Sequence, residues 1–254
     1  MEQDLWFGWF RADIIAEYGV LFWRGLQMTI MVTLICIAQG TLLGLAIGMA
    51  RVAESRHSPA REICKYALRW PSTVYVSFFR GTPLFVQILL IHFAVLPLFI
   101  NPSDGLIISG ETARNIKQNY GAFLSGIVAL TLNAGAYISE IFRAGIQSIH
   151  LGQTQAAYSL GLTHGQAMRF VVLPQAFRRM MPALVNEGIT LIKDSSLVSA
   201  IGFAELALAA RTVAGAYSRY WEPYLAISAL YLVLTLLLSS LAKRLEAPAH
   251  LRGR

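Results

Sequence analysis

Four ionisable side chains lie in stretches of sequence that are otherwise apolar: Glu140, Glu187, Lys193 and Asp194. A charge inside a membrane costs roughly 2.5–3.5 kcal/mol on insertion scales, so such residues usually face a bundle interior or a water-filled path. A zwitterionic solute needs an acceptor for its ammonium group and a donor for its carboxylate. Glu140 or Asp194 could provide the acceptor, and Lys193 could provide the donor.

Neutral polar side chains near these charges extend the candidate solute site, and Asn133 or Ser195 could assist in binding the ammonium group. Simple pairing remains an alternative for the charged members. Glu140 lies three residues before Arg143 on one helical face and could pair with it, and the charges at 193–194 could pair with each other. The candidate substrate-binding residues are Glu140, Asp194, Asn133, Lys193, Ser195 and Gln87.

The composition predicts that these residues lie in a membrane. The chain of 254 residues is 56% hydrophobic and 14% charged, whereas soluble domains carry about 25% charged residues. A helix crosses a bilayer with about 20 apolar residues, so the sequence predicts an all-α integral membrane protein with about five transmembrane helices. The predicted spans are 25–50, 81–100, 121–146, 181–206 and 223–242.

Small residues and charges give the predicted spans further detail. Gly40, Gly44 and Gly48 recur every four residues, a spacing that lets two helices approach closely in lipid. The loop after the first span is basic, and the stretch 147–180 contains arginines but no acidic residue. Because basic loops stay cytoplasmic, we expect the N-terminus outside and the C-terminus in the cytoplasm. The net charge of +7 follows from this bias and does not indicate nucleic acid binding.

The stretch 152–174 carries the most specific pattern in the chain. Residues 153–160 are good helix formers, and Gly161 can adopt the left-handed conformation that ends a helix. Thr163 then lies three residues before Gln166, which is the spacing of a capping box that starts a new helix. The pattern predicts a helix, a sharp turn and a second helix, a shape suited to a groove on a soluble partner. An idle connector is the alternative.

This stretch resembles the EAA motif of importer permeases in the ATP-binding cassette (ABC) superfamily. In that motif E-A-A is followed after three residues by Gly, and after nine more by I-x-L-P. The resemblance implies a coupling helix that docks on an ATPase subunit. The glutamate of the motif is Gln155 here, so any ion pair of that glutamate is not expected. The implied coupling residues are Gln155, Ala156, Ala157, Gly161, Leu173 and Pro174.

Further stretches resemble permeases for polar amino acids: FFRGTPLFVQ at 78–87, AYISEIFRAGIQSI at 136–149, and 173–206. The resemblance covers about 21–241 and implies the type I ABC importer permease fold. The expected organisation is an N-terminal interfacial segment at 1–20, a permease domain at 21–245 with its coupling loop at 150–175, and a cytoplasmic tail at 246–254.

The resemblance also implies partners: two ATPase subunits, a second permease subunit that is identical or homologous, and an extracytoplasmic solute-binding protein. The chain lacks the G-x-x-x-x-G-K-[ST] phosphate loop, so we expect a transport subunit rather than an enzyme, with ATP and Mg bound by the ATPase partners. The histidines and cysteines show no metal-ligand spacing, and we expect no cofactor or metal in this chain. The expected location is the bacterial cytoplasmic membrane.

A second class of function is an ion-coupled secondary transporter of amino acids. In that case Glu140 and Asp194 would be proton or sodium sites, and the loop at 150–175 would have no role. Charge complementarity does not choose among basic, acidic and neutral polar solutes, because residues of both signs are among the candidates.

Overall fold

The computed structural model describes residues 10–52 and 59–250, and within them the regular structure is helical. The predicted interfacial segment is therefore described only from residue 10, and residues 53–58 of the basic loop lie outside the described part. Residues 251–254 of the predicted tail lie outside the described part. Domain boundaries as expected from the sequence stay a prediction.

The helices are named here in chain order. They are α1 (Ala12–Glu17), α2 (Gly19–Val52), α3 (Pro59–Gly81), α4 (Leu84–Leu90), α5 (Leu96–Phe99), α6 (Gly110–Gln147), α7 (Leu151–Ser159), α8 (His164–Ala167), α9 (Leu173–Asp194), α10 (Leu206–Tyr217) and α11 (Trp221–His250). Two π-helical turns, Ile91–Val95 and Met168–Val172, and a 3₁₀ segment, Ser195–Ile201, connect some of them without a break.

Three helical stretches of the described part are long and apolar enough to cross a bilayer: Gly19–Arg51, Gly110–Gln147 and Trp221–Ser240. Two bent pairs add up to two more spans, Tyr66–Gly81 with Leu84–Phe99 and His164–Ile201 with Leu206–Tyr217, bent by 110° and 48°. The all-α class is confirmed, and the spans number three to five.

The two bent pairs replace the straight second and fourth spans that the sequence suggested. The second was expected to begin at Gly81, but α3 ends there and α4 begins at Leu84. Pro83 lies in the gap, and the residue before a proline is driven out of the helical conformation. In the fourth, Gly202 adopts a positive φ of 83° and closes the 3₁₀ segment, so the helical direction changes before α10.

The residues fall into two compact units, which are described separately. The first unit comprises Met1–Ile35, Phe85–Leu130 and Ile189–Leu238. Its core contains Ile14 of α1, Phe22 of α2, Leu206 and Val213 of α10, and Ile227 of α11. Burial of these side chains joins the short α1 to the membrane-length helices of the unit.

The second unit comprises Cys36–Leu84, Thr131–Gly188 and Ser239–Arg254. In it α2 and α6 pack through the glycine series predicted from the sequence. A β-carbon on Gly44 would lie 2.7 Å from Cγ2 of Ile138 and 2.9 Å from the backbone nitrogen of Ser139. The close approach of the two helices is confirmed, and it leaves no room for a side chain at this position.

Substitution Gly44→Ala should destabilise the protein by roughly 1–3 kcal/mol, the usual cost of forcing an extra carbon into a packed core. The matched control is Gly121→Ala, where a β-carbon would meet only Cγ of Lys117 at 3.9 Å. Thermal unfolding in detergent should show a lower melting temperature for Gly44→Ala and no loss for the control. Equal melting temperatures for the two variants would refute the packing of α2 on α6.

Candidate functional site: coupling segment and solute groove

The segment from Leu151 to Val172, called the coupling segment below, begins and ends its first helix with defined caps. Nδ1 of His150 accepts a hydrogen bond from the backbone N–H of Gly152 at 3.1 Å. At the other end Gly161 has φ +80°, its N–H donates to the carbonyl of Tyr158, and the N–H of Leu162 donates to the carbonyl of Ala157. These two bonds form a Schellman motif, which ends α7 as the sequence predicted.

The second helix of the segment starts with the predicted capping box. The N–H of Gln166 donates to Oγ1 of Thr163 at 3.4 Å, and the N–H of Thr163 donates to Oε1 of Gln166 at 2.9 Å. The helix then widens into the π turn Met168–Val172 before Pro174. Proline lacks an N–H for the ordinary helical bond, so the π turn lies where that bond pattern is interrupted.

Three side-chain contacts link α7 to α8 and α9, and α9 to the residue that follows α6, all in the second unit. The hydroxyl of Tyr158 shares a hydrogen bond with Nδ1 of His164 at 2.7 Å. The side-chain amides of Gln175 and Gln153 bond at 3.2 Å. Nη1 of Arg179 donates to the carbonyl of Ser148 at 2.5 Å. As a result α7 is bonded to α9, and α9 is bonded to the residue that follows α6.

Leucines at the two ends of α7 are exposed, and mainly polar side chains lie between them. Leu151, the first residue of the helix, is 75% exposed, and Leu160, directly after its last residue, is 81% exposed, while Ala157 faces inward. Gln155 and Ala156 are exposed, and in the described part the side chain of Gln155 forms no hydrogen bond. The helix therefore presents a mixed apolar and polar surface to a partner.

A groove of about 830 Å³ lies beside α7 in the second unit. Its walls contain no carboxylate and combine aliphatic residues with neutral polar ones. The lining residues are Ile146, Gln147, Ile149, Leu151, Thr154, Gln155, Tyr158, His164, Met168 and Val172.

Glu140, the first candidate solute-binding residue, forms ion pairs with arginines. Its Oε2 lies 2.7 Å from Nη1 of Arg51 and 3.9 Å from Nη1 of Arg80, and its Oε1 accepts from Nε of Arg143 at 3.0 Å. The pairing with Arg143 left open by the sequence is therefore present, and two arginines from other helices join it. The surrounding positive charge opposes binding of a solute ammonium group at this carboxylate.

The other candidates divide between the two units. Asn133 belongs to the second unit and donates to the carbonyl of Phe79 at 3.2 Å. Gln87 belongs to the first unit and is 1% exposed. Ser195, also in the first unit, is fully buried and donates to the carbonyl of Ile192 at 2.7 Å.

Lys193 lies in a groove of about 400 Å³ in the first unit. Four of the six lining residues carry a hydroxyl group; the lining consists of Lys193, Ser196, Ser228, Tyr231, Leu232 and Thr235. In the described part Lys193 and Asp194 form no salt bridge within 4 Å, so the sequence alternative of a direct 193–194 pair is not seen. The ammonium group of Lys193 can pair with a carboxylate.

Glu205 is a buried charge whose role the sequence analysis missed. It is fully buried and caps α10 by accepting from the N–H of Leu208 at 2.9 Å. Its other oxygen accepts from the hydroxyl of Tyr231 at 2.7 Å and from that of Thr29 at 3.5 Å. Tyr231 thus joins the groove of Lys193 to a buried carboxylate. One feature of the sequence could have indicated this role: Glu205 is a lone acidic residue in an apolar stretch, three positions after Gly202.

The sequence model of one protein family, described as binding-protein-dependent transport system inner membrane component, matches residues 65–248. The chain belongs to this family. As a member of this membrane-embedded family it is a transport subunit, and its family resemblance to ABC importer permeases is confirmed.

Related proteins agree with this membership along most of the chain. The arginine transport system permease protein of Bacillus subtilis (strain 168) is 34% identical over 223 residues, which are 88% of this chain and 90% of that protein. The glutamine transport system permease protein of Escherichia coli (strain K12) gives the same identity and coverage.

Solved structures share the fold of this transport subunit. An amino acid ABC transporter crystallised with histidines matches with a TM-score of 0.75 and 37% identity, over 92% of this chain and 96% of that one. The inward facing MetNI methionine ABC transporter matches with a TM-score of 0.67 and 21% identity, over 90% and 95% of the two chains. The type I importer permease fold is thereby confirmed, while the orientation in the membrane and the site residues stay predictions.

Proposed function

We propose that this chain is the permease subunit of a bacterial importer for a polar amino acid, and that its coupling segment receives movement from an ATPase partner. The observation that carries the proposal is the capped helix–turn–helix around Gly161, with apolar residues of α7 exposed beside it. Relatives named for arginine and glutamine transport support the solute class.

The contacts of α7 suggest how movement passes into the membrane. Because Arg179 bonds to Ser148 and Gln175 bonds to Gln153, displacement of α7 moves the start of α9 and the end of α6 together. Both helices continue into membrane spans. A partner that pulls on α7 therefore acts on two spans through hydrogen-bonded and packed contacts, which is the kind of network that carries coupling between sites.

The proposed partners complete the transporter complex. Two ATPase subunits bind ATP and Mg, a second permease subunit, identical or homologous, forms the other half of the pathway, and an extracytoplasmic binding protein delivers the amino acid. The assembly lies in the bacterial inner membrane and alternates between outward and inward access. An ion-coupled transporter is less consistent with the geometry, since a proton or sodium ion at Glu140 would face three guanidinium groups.

Substitution Gly161→Ala should weaken the coupling of ATP hydrolysis to uptake. A side chain in the left-handed conformation costs about 1–2 kcal/mol, so the turn between α7 and α8 shifts or loosens. The matched control is Gly165→Ala in the same segment, where the φ is not positive and a β-carbon meets nothing within 4 Å. The measurement is amino acid taken up per ATP hydrolysed by the complete importer in proteoliposomes.

We expect Gly161→Ala to take up several-fold less amino acid per ATP hydrolysed than the wild type, and Gly165→Ala to take up the same amount. Equal ratios in both variants and the wild type would show that the turn at Gly161 does not transmit movement. Uptake by the wild type that continues without ATP and follows an ion gradient would instead favour the ion-coupled alternative.

We further propose that Lys193 binds the carboxylate of the amino acid, with Asp194, Ser195 and Gln87 of the same unit as further candidates. The groove of about 400 Å³ is large enough for one amino acid and presents a single ammonium group. Hydrogen bonds that involve a charged group contribute about 1.5–3 kcal/mol each.

Substitution Lys193→Gln should therefore raise the half-saturation concentration for uptake about tenfold or more. Glutamine, arginine, histidine and glutamate serve as probes, and the one that the wild-type importer takes up is measured. The control is Lys117→Gln, which removes the same charge from an exposed site on α6. An unchanged half-saturation concentration with Lys193→Gln would remove this residue from the solute site.

A further inference from the structure

The arginine cluster around Glu140 has more positive charge than its carboxylate neutralises. Arg51, Arg80 and Arg143 all lie within 4 Å of Glu140, and in the described part no other carboxylate pairs with them. Nε of Arg69 adds a fourth guanidinium by donating to the carbonyl of Arg51 at 3.2 Å. The cluster therefore attracts an anion beyond the one it already contains.

Arg80 is the member of the cluster that can meet such an anion. Its side chain is 41% exposed, compared with 17% for Arg51 and 32% for Arg143. The guanidinium lies 5.3 Å above the ring of Tyr137, a contact that favours its position, and its N–H groups make no hydrogen bond in the described part. A planar guanidinium with unused donors matches the oxygens of a phosphate.

The cluster lies at the membrane ends of three helices in the second unit. Arg51 closes the apolar stretch of α2, Arg80 precedes the bend after α3, and Glu140 lies seven residues before the end of α6. At 1.5 Å per residue, those seven residues place the cluster about 10 Å from the end of α6. The coupling segment begins shortly after that end, so the cluster lies on the membrane side of the segment. Basic pockets between helices at this depth suit anionic lipid head groups.

Apolar neighbours distinguish a lipid from a soluble anion at this position. Phe78, two residues before Arg80, is 44% exposed, and Tyr137 is 38% exposed. A phosphate on Arg80 would have its acyl chains beside these rings. A carboxylate of the ATPase partner would need to reach past the coupling segment toward the membrane.

We propose that Arg80, supported by Arg51 and Arg143, binds the phosphate of an anionic phospholipid at the cytoplasmic surface of the membrane. The inference rests on the family membership and on the expected orientation. The cluster then has two roles: Glu140 joins the three helix ends, and the excess charge anchors a lipid next to the coupling segment.

The test uses the complete purified importer in detergent, titrated with phosphatidylglycerol or phosphatidylcholine and observed by native mass spectrometry. Phosphatidylglycerol should bind the wild type at least tenfold more tightly than phosphatidylcholine. Arg80→Gln should abolish that preference, and Arg80→Lys should retain only part of it, because lysine lacks the planar fork. The control Arg114→Gln removes the same charge at the other end of α6 and should bind lipid as the wild type does.

Two results would overturn the proposal. One is an unchanged preference for phosphatidylglycerol in Arg80→Gln, and the other is equal binding of both lipids by the wild type. Inorganic phosphate at millimolar concentration should not displace the bound lipid; full displacement would identify a site for free phosphate instead. Because the readout needs neither ATP nor amino acid, failure here is distinct from failure of the transport proposal.

Discussion

The angle between α7 and α8 is set by one left-handed glycine, two Schellman bonds and the reciprocal bonds of a capping box, and the proposed coupling depends on that angle. Gly161 lets the chain reverse, the Schellman bonds end α7, and the Thr163–Gln166 box starts α8. These bonds provide partners for backbone groups that helix ends leave unsatisfied, and they restrain the turn even though it lies at the surface. A stiff turn transmits displacement of α7, whereas a flexible one would absorb it.

The charges in the membrane spans follow a second constraint, since an unpaired charge in lipid is costly. The protein meets it in three ways. Glu140 is surrounded by arginines from three helices, Glu205 is buried against hydroxyls and the N-terminus of α10, and Lys193 lies in an open groove. The first two arrangements pair the two carboxylates, and the third leaves the ammonium group of Lys193 accessible to a solute.

Local signals explain which parts of the structure the sequence could predict. The coupling segment was predicted almost residue by residue, because a left-handed glycine and a capping box act over five or six neighbouring positions. The apolar runs predicted the spans, and the glycine spacing predicted a close approach of the first span to another helix, without naming that helix. The bend at Pro83 was missed because the second span was expected to begin at Gly81, which assigned the helix before the bend to the basic loop.

Long-range contacts explain the rest. Arg51 is 89 residues from Glu140 in sequence, so only the i,i+3 partner Arg143 could be proposed beforehand. The same holds for Glu205, whose partners Thr29 and Tyr231 come from helices 176 and 26 residues away. Such contacts depend on how helices pack, and residue spacing within one helix does not determine that packing.

Photo-crosslinking from α7 tests the central claim most directly. A photoreactive amino acid at Ala156, exposed on α7, and another at Ile107, 73% exposed on the loop before α6, would be introduced into the importer in native membranes. We predict a covalent product between position 156 and an ATPase subunit, and no covalent product between position 107 and that subunit. Absence of the ATPase product at 156, or an equal product at 107, would contradict docking of the coupling segment on an ATPase.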